Sequence, residues 1–219
     1  IPAYNDKKWT QPNTSGEMKS YKLCPYKSGV VNRYRQNPAE IRKLSENRYV
    51  IDFGNEMIGN VSVQLLCLTS QKWSVGYGEE LNSDGSVKSE MRTGNIYRET
   101  WNMTPGYQEM STINMKAFRY MEISGCTEKL SIGNITGWQV RQKTGNQELQ
   151  FSSDNSILND EYNLAKRTIE NTSQDMYVDT QSRERQNYAG DTFINMMTAT
   201  SMNSNYSLSA HSIEYALNH

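Results

Sequence analysis

The residues best equipped for chemistry lie between 179 and 191. Asp179-Thr180-Gln181-Ser182-Arg183-Glu184-Arg185 is followed by Tyr188-Ala189-Gly190-Asp191, so three acids and two arginines fall within thirteen residues. The surrounding sequence is rich in Asn, Ser and Thr, and this charge stands out against it. Carboxylates held near arginines can bind sugar hydroxyls and protonate a glycosidic oxygen. Arg183 and Arg185 flank Glu184 and favour its ionised form, which opposes a general-acid role. Burial, or the nearby acids Asp179 and Asp191, would raise its pKa and suit that role. A solvated ion-pair cluster beside a helix start would use the same residue types, so composition leaves both readings open.

Other chemistries lack their components. His211 and His219 are the only histidines, which argues against a Ser-His-Asp or Cys-His mechanism and a histidine-ligated metal. No GxGxxG or Walker pattern occurs. Cys24, Cys67 and Cys126 form an odd, sparse set without CxxC spacing, so idle or buried thiols are expected rather than a disulfide framework or zinc site. No cofactor or metal is expected. The net charge of -1 and the scattered basic residues give no electrostatic footprint for nucleic acid. No apolar run reaches the roughly 18 residues needed to span a bilayer. No signal peptide is visible, and the first residue is Ile1 rather than Met, so a trimmed product or the ordered part of a longer chain is expected.

These residues need a scaffold. A mean hydropathy of -0.80 is polar for a globular chain, but fourteen Tyr and four Trp can bury enough area for a sizeable core. Tyr188, Trp138, Trp101 and Trp73 are also candidates for a sugar-stacking face, with core packing the plainer reading for the tryptophans. Before residue 150 the pattern is strands and turns. Residues 48–54, 61–68, 73–78 and 119–125 are short apolar or alternating runs, separated by Asn82-Ser83-Asp84-Gly85, Pro105-Gly106 and Gly133-Asn134. That spacing predicts an antiparallel sandwich or jelly roll. Residues 1–20 lack periodicity and are expected to form an extended arm. From about 150 the period changes. Ser153-Asp154-Asn155-Ser156 offers N-caps ahead of Leu158, Tyr162, Ala165 and Ile169 at helical spacing. A second helix is predicted after Gly190, with Phe193, Ile194, Met197 and Thr200 on one face, and a third after Ser207. The third runs to the end of the chain, and so few helices bury their faces poorly, so a missing remainder of an all-helical domain is expected.

The order of motifs resembles the bacterial α-L-rhamnosidases of glycoside hydrolase family 78. Val50-Ile51-Asp52-Phe53-Gly54-Asn55-Glu56-Met57-Ile58-Gly59 is similar to the family's D-F-G-[QN]-x-x-x-G strand and turn. Tyr77-Gly78-Glu79-Glu80-Leu81, Asp84-Gly85 and Phe118-Arg119-Tyr120-Met121-Glu122-Ile123 follow in the family's order. Asp179 to Asp191 resembles its D-x-x-x-R-E-[RQ]-x-x-[WY]-x-G-D loop, and the likeness covers roughly residues 30–215. Thr180-Gln181 stands where many members have Cys-Pro, which alters loop shape, and Tyr188 where many have Trp, which keeps an aromatic face.

The resemblance implies a β-sandwich, jelly-roll-like, followed by the first helices of an incomplete (α/α)6 barrel. The expected division is an arm at 1–20, a sandwich at 21–148 and barrel helices at 149–219. It implies inverting hydrolysis of terminal α-L-rhamnosides in glycosides or polysaccharides. Glu184 becomes the general acid, Asp179 and Asp191 bind rhamnose hydroxyls, Arg183 is a sugar or carboxylate partner, and Tyr188 walls the rhamnose subsite. An inverting enzyme also needs a base roughly 6.5–9.5 Å from the acid. The family takes that base from later in the barrel, and Glu214 lies in no matching segment, so this chain is expected to lack it. A non-catalytic carbohydrate-binding sandwich and a helical-barrel glycosidase or lyase of other sugar specificity are the alternatives. The resemblance leaves oligomeric state open and places members inside and outside the cell, with a periplasmic or secreted location preferred.

Overall fold

The computed structural model describes residues 7–11, 27–143 and 149–218. Most of the expected arm at 1–20, Cys24 and His219 therefore lie outside the described residues. Among the described residues, eight strands precede three α-helices: β1 (Val31–Gln36), β2 (Glu40–Ser45), β3 (Arg48–Cys67), β4 (Gln71–Gly78), β5 (Arg98–Met103), β6 (Gly106–Ser111), β7 (Lys116–Ser124), β8 (Ile135–Gln142), α1 (Ser156–Thr172), α2 (Ala189–Thr200) and α3 (Ser207–Asn218). The strands join in one antiparallel sheet ordered β1-β8-β3-β7-β4-β5, with β2 and β6 also paired to β3.

β3 makes that sheet sandwich-like. Its first half pairs with β2 and β7, and its second half with β8 and β6. Between the two halves the register against β7 jumps from Asp52–Tyr120 to Met57–Phe118. Residues 53–56 thus lie opposite Arg119 alone, a bulge that bends the strand and sharpens its twist. Gly54 takes the bend at φ 81°, in the left-handed region that costs a side chain energy. Asp52 stabilises it twice: its Oδ1 accepts the Gly54 amide at 2.6 Å, and both carboxylate oxygens accept from Arg119, at 2.9 and 2.8 Å. The sheet consequently curls over its own apolar face.

Within the curl lie Ile51, Phe53, Met57, Val61, Val63, Trp73, Val75, Tyr77, Phe118, Met121 and Ile123. Phe118 meets Phe53 and Tyr77 edge to face at 5.6 and 5.2 Å, and Trp73 stacks with Trp101 at 6.5 Å. Such aromatic pairs contribute about 0.5–1.5 kcal/mol each beyond area burial. Cys67 and Cys126 are buried in the same cluster, and desolvation pushes the Cys126 thiol up to about 12.

Asn155 caps α1 by accepting the Ile157 amide at 3.0 Å. The C-terminal end of α1 docks on the sheet through polar groups. Asn171 donates to the Glu56 carbonyl at 3.2 Å and accepts from Gln139 at 2.9 Å. Gln174 donates to the Val140 carbonyl, and the Gln142 amide to the Ser173 carbonyl, both at 2.8 Å. A second, smaller cluster of Ile169, Tyr177, Ala199 and Leu208 joins the helices. On α2 the structure corrects the expected inner face: Thr192, Asn195 and Ala199 are buried, whereas Phe193, Ile194 and Met197 are exposed. The α1–α2 connection explains this, because Asn195 turns inward to donate to the Val178 carbonyl and to meet the Thr172 hydroxyl.

Candidate active site

The candidate residues occupy the connection from α1 to α2, a loop that enters a helix at Ala189. A small closed ladder shapes its base. The Asp179 amide donates to the Gln186 carbonyl at 2.9 Å, and the Gln186 amide returns to Asp179 Oδ1 at 2.8 Å. Asn187 donates to the Tyr177 carbonyl at 3.3 Å. Arg185 is held at φ 55°, the only non-glycine residue with positive φ among the described residues. Backbone strain of this kind persists where surrounding contacts over-determine it. Here Arg185 donates to the Gln181 carbonyl at 2.8 Å and to the Met115 carbonyl, just before β7, at 2.7 Å. Tyr97 and Asn95 donate to the Ser182 carbonyl at 2.7 and 3.0 Å. The loop is therefore stitched to the sheet at two separate places.

That backbone brings three of the five candidate residues, Asp179, Arg183 and Glu184, together. Arg183 and Glu184 form an ion pair. The Thr180 hydroxyl lies 3.2 Å from Glu184 Oε2 and 3.3 Å from Asp179 Oδ2, within donating distance of both. The hydrogen bond to Glu184, then its charge and that of Asp179, raise the pKa of Arg183. Tyr188 is half-exposed at the N-cap of α2. Asp191 stands apart, exposed in the first turn of α2, where the helix dipole favours a carboxylate.

The direction at Glu184 resolves the electrostatic question left by the sequence. The hydrogen bond from Arg183 dominates and holds the carboxyl below its ordinary range, with Thr180 adding to the effect. Arg185 takes no part, since its guanidinium is spent on two carbonyls. Glu214, weighed as a base, sits on α3 in an exposed ion pair with Lys27 at 2.6 Å that lowers its pKa.

Two acids of the sheet, not assigned from the sequence, behave in the opposite way. Glu79, just beyond β4, is raised by desolvation and by Glu80, and Glu56, in the β3 bulge, by desolvation and by Glu79. Glu79 and Ser182 line the same cavity, of about 280 Å³. Contacts between the 79–97 region and Ser182 join residues more than eighty positions apart, so no local pattern could reveal them. Thr180 was visible only as a departure from Cys-Pro. The three tryptophans weighed for stacking are scaffold: Trp73 and Trp101 are buried, while Trp138 donates to Ser62 at 3.0 Å beneath the Arg33 guanidinium.

Comparison with known proteins matches most of the chain. The model of the bacterial alpha-L-rhamnosidase concanavalin-like domain fits residues 42–141, and that of the bacterial alpha-L-rhamnosidase 6 hairpin glycosidase domain fits residues 146–215. The chain belongs to the bacterial α-L-rhamnosidases. An α-L-rhamnosidase of Streptomyces avermitilis is 22% identical over 163 residues, which is 72% of this chain and 16% of that protein. The structure of Streptomyces avermitilis α-L-rhamnosidase complexed with L-rhamnose superposes with a TM-score of 0.73 at 20% identity, over 85% of this chain and 18% of the other. α-L-Rhamnosidase from Dictyoglumus thermophilum gives 0.71 at 19% identity, over 80% and 20% of the two chains. A Klebsiella oxytoca rhamnosidase with rhamnose bound gives 0.66 at 14%, over 83% and 43%. These structural likenesses establish a shared rhamnosidase fold. The chain spans only about a sixth of the curated rhamnosidase that it matches.

Proposed function

We propose that the protein to which this chain belongs hydrolyses terminal α-L-rhamnosides with inversion of configuration. The observation that carries the reading is the stitched loop, which gathers Asp179, Arg183 and Glu184 where the sheet meets the helices, with Tyr188 half-exposed at the start of α2 beyond it. In this reading Glu184 is the general acid that protonates the departing oxygen. Asp179 and Asp191 accept from rhamnose hydroxyls, and Tyr188 offers an aromatic wall to the ring. A rhamnose-bound relative supports a rhamnoside as the substrate class.

A general acid must hold its proton, and the Arg183 ion pair opposes that. The reading therefore includes a change on binding. Sugar hydroxyls compete for Arg183 and displace water, and both effects raise the Glu184 pKa toward a working value. The helices are proposed to be the opening part of an (α/α)6 barrel, whose later segments supply the base that activates water. Hydrolysis of 4-nitrophenyl α-L-rhamnoside and of a panel of α-L-rhamnosyl-glucose disaccharides by the natural full-length protein, beside Glu184→Gln, tests the assignment, because an alkoxide leaves only when protonated whereas nitrophenolate leaves without help. The variant is expected to lose at least about a hundredfold in kcat on the disaccharides, the usual scale of general-acid catalysis. Full disaccharide activity in the variant overturns the role of Glu184, and a wild-type protein inert on every substrate overturns the rhamnosidase reading itself.

A further inference from the structure

The cavity beside Ser182 is built almost wholly by the sheet. Its walls include Glu79, Glu80, Lys88, Met91 and Arg92, and Ser182 closes it from the catalytic loop. At about 280 Å³ it sits at the small end of ligand pockets. It adjoins the loop that carries the acid: Ser182 lies two residues before Glu184, and its carbonyl is clamped by Tyr97 and Asn95 at 2.7 and 3.0 Å. Gly78 is needed to shape it. A Cβ there would stand 2.4 Å from the Lys88 carbonyl oxygen, so only glycine lets the 87–88 backbone close in on the end of β4.

The lining is suited to hydroxyls. Lys88 and Arg92 share one carboxylate, Glu80, at 3.0 and 3.2 Å. The Arg92 side chain is 83% exposed and spends a single nitrogen on that pair, so most of its five donors remain for a ligand. Glu79 accepts hydrogen bonds when ionised and, with its raised pKa, also donates over part of the acid range. None of the described residues lining the cavity is aromatic. The space continues away from the loop into a second hollow of about 520 Å³, which shares Lys88, Glu90, Met91 and Arg92 and extends to Ser89 and Arg98.

We propose that this sheet-borne cleft is the aglycone site: it takes the sugar to which the terminal rhamnose is joined, and favours saccharide over flat aryl aglycones. The proposal rests on the hydrolase reading. The rhamnose ring occupies the side of Glu184 toward Asp179 and Tyr188, and the chain leads over Ser182 into the cleft. Saccharide hydroxyls can take up Arg92 donors that otherwise face water, a direct set of hydrogen bonds that an aryl aglycone does not offer.

The test measures kcat/KM of the natural full-length protein on a panel of α-L-rhamnosyl-glucose disaccharides of differing linkage and on 4-nitrophenyl α-L-rhamnoside, for wild type, Arg92→Ala and Glu79→Gln. The ratio of the best disaccharide to the aryl substrate is expected to fall at least about tenfold in each variant. A ratio that stays within about twofold overturns the subsite, as does an equal loss on both substrates, which marks a structural effect. A wild-type protein that cleaves the aryl rhamnoside but no disaccharide also overturns it. A wild-type protein inert on both fails at the level of the hydrolase reading and takes the subsite with it.

Discussion

At the scale of single residues, two carboxylates illustrate how neighbours set function. Glu184 shares its charge with Arg183 in the unliganded protein, so its proton affinity is hostage to that arginine. In the proposed mechanism activity falls as pH rises through the pKa of the acid. Arg183→Gln removes the main force that lowers it, so the alkaline limb of the kcat/KM profile is expected to move to higher pH. A limb that does not move, or moves down, separates Glu184 from the proton donor. Asp52 has a different task. Arg119 and the Gly54 amide hold its carboxyl below the ordinary range, and the side chain is mostly buried. A depressed native pKa contributes stability above the unfolded value of about 3.9, and that contribution is lost as pH falls through the lower folded value. Asp52→Asn is expected to cost roughly 1.5–3 kcal/mol near neutrality. Thermal melts should show that deficit shrinking as the pH falls toward the native Asp52 pKa. The motif around Asp52 and the one around Arg119 were legible in sequence as landmarks only. Their mutual contact, across 67 positions, supplies the physical reason for both.

At the scale of elements, the best-read segments were those whose pattern is enforced by burial on one face. To within a residue, the runs at 48–54, 61–68, 73–78 and 119–125 fall in β3, β4 and β7, three of the four inner strands; the fourth, β8, was not read. The first two form one continuous strand, because Gly54 and the bulge bend the chain without ending its pairing. β1, β2 and β6 are polar strands that bury little, and hydrophobic alternation could not disclose them. The three helices lie where the change of period placed them, with the expected side-chain cap at α1, yet the face of α2 was misread because buried Asn195 serves polar contacts within the fold. Of the candidate site, the segment from Asp179 to Tyr188 stood out in the sequence, whereas the donors Tyr97 and Asn95 and the cavity-lining acid Glu79 come from distant strands and loops. The docking of α1 gives a test at this scale. Asn171→Ala leaves the Glu56 carbonyl and Gln139 without their shared partner and is expected to destabilise by about 1–3 kcal/mol. Denaturant titration followed by circular dichroism checks it, and an unchanged midpoint would remove Asn171 from the interface that holds the helices.

At the scale of the whole molecule, the core is divided. The sheet encloses a large aromatic and aliphatic cluster, whereas the helices share only Ile169, Tyr177, Ala199 and Leu208, with Met196 against them. Ile157, Leu164, Phe193, Ile194 and Leu217 are exposed on the helices. Local stability follows buried apolar contact, so this chain in isolation is expected to open in two stages. Hydrogen exchange followed by mass spectrometry should find amides of β3, β4 and β7 protected longest and those of α2 and α3 exchanging through a lower-energy opening. Equal protection in both regions would mean that the two clusters act as one cooperative unit. The path of β3 also bears on the order of events during translation. Its partners are drawn from residues 40–45 on one side and from as far as residue 139 on the other, so no hairpin emerging early can complete it. Until β8 leaves the ribosome, the second half of β3 has an open edge and an uncovered apolar face. Nascent chains paused before residue 135 should therefore be the ones that recruit holdase chaperones, and release past residue 142 should end that dependence for the sheet.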